Sequence, residues 1–184
     1  MSKNIGANLV GKFHAHLTMN VSVPEIKGWK PTTIILSGEK EQTDVMLTKH
    51  YFVPSRKTPT VDDIYADIKN TCENVKVLRV KIEHESLPTV APSEKTYREC
   101  HIKIFVPHGI SCEYPDGYVR SRNPKQVSDD GSIFFLNRRW YSGSIESINK
   151  ELQDLVLDPA IQIHETKVES TIFDSNKELD AWWA

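Results

Sequence analysis

From Lys12 to Val21, in GKFHAHLTMNV, Phe13, Ala15, Leu17 and Met19 share one parity and His14, His16 and Thr18 the other. Strand side chains alternate with a period of two, so this stretch predicts a β-strand with one apolar and one polar face. Pro24, Gly28 and Pro31 then mark a loop, and the β-branched TTIILS of Thr32 to Ser37 predicts a second strand. Asp44 to Tyr51 predicts a third, followed by a basic loop between Pro54 and Pro59. Val61, Ile64, Ile68 and Val75 recur at helical spacing opposite Asp62, Asp63, Asp67, Lys69 and Glu73, which predicts an amphipathic helix opened by Thr60 as N-cap. Lys76 to His84 returns to alternation, with Leu78, Val80 and Ile82 against Arg79, Lys81 and Glu83.

The second half repeats the pattern. After a proline-bearing connector, Tyr97 to Val106 predicts a strand whose polar parity is Glu99, His101 and Lys103. Pro107 to Gly131 is rich in turn formers and predicts an irregular excursion with one short strand. Ser132 to Tyr141 reads as a strand, Ile145, Ile148, Leu152 and Leu155 as a helix from Ser144 that ends before Pro159, and Ile161 to Phe173 as a final strand. Asp174 and Asn176 read as a turn and cap, ahead of a polar tail ending in Trp182 and Trp183, a pair expected to dock on the body or on a partner chain.

Superposing the halves aligns HLTM at His16 with HIKI at His101, LTKHY with LNRRW, the two helices, and RVKIE with ETKVE, at offsets of about 82 to 89 residues. The expected fold is α+β: one domain, residues 1–184, made of two pseudo-symmetric β-β-α-β lobes over roughly 8–86 and 95–174. One helix per lobe covers one side of a mostly antiparallel sheet, so the polar parity is expected to form an open face lining a central groove. Antiparallel sheets ordinarily wet one polar face, however, and the Arg, Lys and Glu positions need no function on that reading.

Composition narrows the classes. A net charge of −2 gives no broad electrostatic footprint for duplex DNA. No apolar run approaches the roughly 20 residues of a membrane span, and the N-terminus lacks a signal-like apolar core, so the expectation is a cytoplasmic protein. Cys72, Cys100 and Cys112 form no C-x-x-C pair and suggest buried thiols. There is no G-x-S-x-G elbow and no glycine-rich phosphate loop.

The chemistry therefore rests on the histidines. Two imidazoles across a phosphodiester supply an acid and a base near neutrality, and a hydroxyl two residues on binds a phosphate oxygen, with no metal or other cofactor required. The pattern HLT at His16 to Thr18, with HIK at His101 to Lys103 and a duplicated architecture, resembles the two-histidine phosphoesterases, the LigT-like and cyclic phosphodiesterase-like proteins. That resemblance implies two α+β lobes around a groove and a catalytic set of His16, Thr18 and His101, with Lys103 where the family carries a hydroxyl. A lysine still binds phosphate, as a point charge.

Arg79, Lys81, Lys167, Arg122 and Arg138 are candidates to hold the phosphate or nucleotide, and Arg120, Arg139, Trp140 and Tyr141 lie in the same stretches. The expected partner is a small nucleotide or RNA end. Two alternatives stay open: a binding module without turnover, and a metal enzyme in which His14, His16 and His101 hold zinc, or iron if Glu99 joins.

Overall fold

The computed structural model describes residues 10–19, 25–37, 42–53, 61–72, 76–85 and 96–179. The first half contains β1 (Gly11–Met19), β2 (Lys30–Ser37), β3 (Gln42–Val53), α1 (Val61–Thr71) and β4 (Val77–His84). The second contains β5 (Tyr97–Pro107), β6 (Val119–Arg122), β7 (Val127–Ser128), β8 (Gly131–Trp140), α2 (Ile145–Gln153) and β9 (Gln162–Asp174). The α+β class and the antiparallel pairing agree with the alternation of the sequence. The excursion after β5 holds two short strands where one was expected, because β7 folds back on the start of β8 as a hairpin. The N-cap expected at Thr60, the helix end at Val75, the strand end at Val21 and the Trp182–Trp183 pair lie outside the described residues.

Eight of the strands pair in a circuit. The order β4-β1-β3-β2 of the first half joins β6-β8-β5-β9 of the second through a β2–β6 seam and a β4–β9 seam, and β5 pairs β8 as well as β9, so the sheet closes on itself. Each seam satisfies edge N–H and C=O groups that an open sheet would leave to water.

A ring of eight strands is only wide enough inside for side chains or one small ligand, so the helices must pack outside. They do so on the apolar parity. Ile64, Ile68 and Cys72 bury against Phe13, Ala15, Leu17, Leu47 and Ile82, and Ile148 buries against Cys100, Ile102, Ile104 and Leu136. Both helices are also pinned by carboxylates: Asp67 accepts from Lys49 Nζ at 2.8 Å and Tyr51 Oη at 2.7 Å on β3, and Glu151 accepts from Trp140 Nε1 at 2.9 Å on β8 with Arg138 Nε at 2.6 Å. Ser144 caps α2 by accepting from Ser147 N at 3.1 Å, as its sequence position predicts.

The polar parity consequently faces the interior of the ring. The expected open face is thus enclosed: Glu83 and Glu99 are each 1% exposed and Lys81 9%, far from a solvated surface. No helix among the described residues is long and apolar enough to cross a membrane.

Candidate functional site

Register decides which interior side chains meet. On β1, His16 lies opposite Thr48 of β3 and Lys81 of β4; on β5, His101 lies opposite Asn137 of β8 and Lys167 of β9. One pleat along, His14 faces His50 and Glu83, while Glu99 faces Arg139 and Glu169. The same register in each half therefore delivers one histidine, a neutral polar partner on one side and a lysine on the other.

Interior charges pair throughout this set. Lys81 Nζ sits 2.9 Å from Glu83 Oε1 and 2.9 Å from Glu99 Oε2, Arg139 Nε is 3.5 Å from Glu99 Oε2, and Lys167 Nζ is 2.9 Å from Glu169 Oε1. At one end Arg79 donates from Nε to Asp174 Oδ1 at 2.9 Å and from Nη2 to Tyr97 Oη at 2.9 Å, and Tyr97 Oη donates to Asp174 Oδ2 at 2.7 Å. Burial raises the Glu99 carboxyl, but Arg139, Lys81 and His101 outweigh it and bring it down to about 2. Burial likewise opposes ionisation of Glu83, and Lys81, His16 and His101 reverse that and hold it well below the ordinary range. For Lys81, Glu83 and Glu99 overcome burial and push the ammonium up.

Hydrogen bonds fix the imidazoles. Asn137 Nδ2 donates to Val119 O at 3.0 Å and Ser121 Oγ at 2.9 Å, so its Oδ1 faces His101 as acceptor and His101 Nδ1 donates to it at 2.7 Å. In that tautomer the other nitrogen, Nε2, carries the ring's lone pair. His16 Nε2 donates to the ionised Glu83 Oε2 at 2.8 Å, and its Nδ1 lies 2.9 Å from Thr48 Oγ1. Glu83 stands between the two histidines: a His101 ring nitrogen, a Glu83 oxygen and a Glu99 oxygen all lie within 4.8 Å of one another.

The predicted residues divide by parity. His16, Thr18, Arg79, Lys81, His101, Lys103 and Lys167 belong to the interior parity, with Thr18 buried opposite Met46 and Arg79, and Lys103 half-buried opposite Phe135 and Glu165. Arg138 does not join them. It lies on the outer parity, held by Glu151 of α2 and by Asp116 O at 3.0 Å, and Trp140 is packed there too instead of offering a stacking face. Arg122 is exposed at the β2–β6 seam opposite Ile35. Cys100 is fully buried, and burial first of all pushes its thiol up to about 12.

Asp174 exceeds its reading as a turn residue. Its Oδ1 accepts from Asn176 N at 3.1 Å, as a turn would, yet the carboxylate also anchors Arg79 and Tyr97. Sequence reasoning missed Thr48, His50, Asn137 and Glu85 as site residues. The alignment of LTKHY with LNRRW carried the signal, since it places Thr48 on Asn137 and His50 on Arg139.

The expected metal trio of His14, His16 and His101 is not a set that the fold brings within 4.8 Å among the described residues. Among the described residues, two other groups have ligand atoms within 4.8 Å of one another: His14 with His50 and Glu85, and His101 with Glu83 and Glu99. His14 is buried, which lowers its affinity for a proton, but the hydrogen bonds it donates to Glu169 and Glu85 prevail and raise it. Burial, then the neighbouring His14, lowers His50. Comparison with protein-family models, with curated proteins and with solved structures gives no match.

Proposed function

We propose that the ring interior binds a small phosphate-bearing ligand, of the kind presented by an RNA end, a cyclic phosphate or a cyclic nucleotide. In this reading the halves are two related β-β-α-β lobes around a central groove, and His101 and His16 act on a phosphoester as base and acid without a metal. The observation that carries it is the matched placement of the two imidazoles on either side of Glu83, with His101 Nε2 left as the proton acceptor and His16 Nε2 carrying a proton. Incoming phosphate oxygens would take over the role of Glu83 as acceptor for His16 and would be met by Lys81, Lys103, Lys167 and Arg139. Chemistry of this kind gives a reason for the lining, since an apolar filling of the same volume is often as stable as buried ion pairs. An interior eight strands around also suits one small ligand.

The test is hydrolysis of 2′,3′-cyclic nucleotides and short RNA in excess EDTA. The expected result is a bell-shaped pH profile and a loss of roughly 10²- to 10⁴-fold in both His16→Ala and His101→Ala. Turnover that EDTA abolishes overturns the metal-free mechanism. Recognition without turnover is the second reading, favoured by the engagement of both His16 ring nitrogens. Binding that persists in His16→Ala and disappears in Lys81→Ala or Lys103→Ala, with no hydrolysis by the unmodified protein, selects it.

A further inference from the structure

We propose that His14, His50 and Glu85 form a binding site for a divalent first-row transition-metal ion, zinc or its cobalt equivalent, at one mouth of the ring. The three ligands come from three neighbouring elements. His14 on β1 faces His50 on β3 in register, and the Glu85 backbone, just past β4, donates from N to Lys12 O at 3.0 Å on the other side of β1. The His14 and His50 rings stand 4.3 Å apart between centroids, and His14 Nε2 is 2.5 Å from Glu85 Oε1. Two imidazoles and one carboxylate with open positions form a donor set that zinc, cobalt and related ions take at about 2.0–2.2 Å per ligand. Ligand atoms now within 4.8 Å of one another need only side-chain adjustment to reach it, and the Glu85 side chain, 31% exposed, has room to turn.

A second observation points the same way. His14 Nδ1 is 3.1 Å from Glu169 Oε1, a carboxylate buried in the wall behind it, and its Nε2 is turned to Glu85. Metal-binding histidines characteristically hold their second nitrogen against a carboxylate in this way, which fixes the tautomer and strengthens the ligand. The nearby cations do not occupy the site. Lys167 Nζ is paired with Glu169 at 2.9 Å and approaches His14 only on its Nδ1 side, at 3.4 Å, and Lys12 Nζ reaches Glu85 Oε2 at 3.9 Å. The interior group of Glu83, Glu99 and His101 differs in this respect, because the Lys81 ammonium already bridges its two carboxylates. His50 is exposed, so remaining coordination positions open to solvent. The site does not depend on what the interior binds.

The experiment is titration of the full chain, stripped with EDTA and dialysed, with cobalt(II), read by visible d–d absorption, and with zinc(II), read by calorimetry. One equivalent is expected to bind. His50→Ala and Glu85→Ala should each weaken binding at least about tenfold, Glu169→Gln by roughly 10- to 100-fold, and His101→Ala should leave it unchanged. His50→Ala alters an exposed side chain, so it keeps the test open if Glu169→Gln does not fold. The proposal is overturned by absence of saturable binding, by binding unchanged in both His50→Ala and Glu85→Ala, or by binding that His101→Ala removes and His50→Ala keeps. Since the readout is metal occupancy, its failure is distinguishable from failure of the phosphoester reading.

Discussion

The two halves place different chemistry on the same backbone register. Two residues before His101, Glu99 faces Arg139 and closes a buried ion pair; two residues before His16, His14 faces His50 and makes an imidazole pair. Opposite charges lock one end of the interior, whereas the other end sets two imidazoles edge to face. The same strand register thus gives a charge-paired wall in the second half and an imidazole-lined mouth in the first.

Deleting one member on each side should show the largest contrast. Glu99→Ala removes the buried carboxylate that Lys81 and Arg139 share and is expected to cost about 3–5 kcal/mol. His14→Ala leaves Glu169 its Lys167 partner and should cost about 1–3 kcal/mol. Urea unfolding of both variants measures this, and equal losses would erase the distinction between the halves.

Proton linkage sharpens the comparison, because the two ends should weaken at opposite extremes of pH. Glu99, held down to about 2 against an ordinary 4.5, contributes stability that is present above 4.5 and is lost as pH falls toward 2. His14 is raised from 6.5, so its contribution is complete below 6.5 and is lost as pH rises through the higher folded value. Melting temperatures across pH should therefore show the gap between the unmodified protein and Glu99→Gln narrowing in acid. The gap to His14→Ala should narrow on the alkaline side, and a gap that stays constant with pH in either variant contradicts the assignment.

The smallest effects belong outside the ring, where the halves agree. Asp67→Asn releases Lys49 and Tyr51 from α1, and Glu151→Gln releases Arg138 and Trp140 from α2. Those ion pairs are partly exposed, so each substitution should cost about 0.5–1 kcal/mol by thermal or urea unfolding, and by similar amounts. A loss several times larger on one side would mean that the helices are held differently.

Most of the elements were legible in the sequence because their signals are local. His14, His16 and Thr18 alternate with Phe13, Ala15 and Leu17, which gives a strand and its two faces, and Ser144 with Ile145, Ile148 and Leu152 gives a capped helix. The short β7 was not legible, since its two residues acquire strand geometry only from Gly131 and Ser132 opposite them. Arg138 was misplaced for a related reason. Its neighbour Arg139 points inward and it points outward, and a guanidinium by itself carries no mark of which face is the core.

The sequence by itself determined the strand parity, the two helices and the candidate histidines, because period and capping depend on neighbours a few residues apart. Only the tertiary structure decided that the polar face is enclosed. That outcome depends on the seams Leu36 with Ser121 and Ile82 with Phe173, between residues 85 and 91 positions apart, whose backbone hydrogen bonds form whatever the side chain. Closure brings His101 of the second half to Glu83, which His16 already holds within the first.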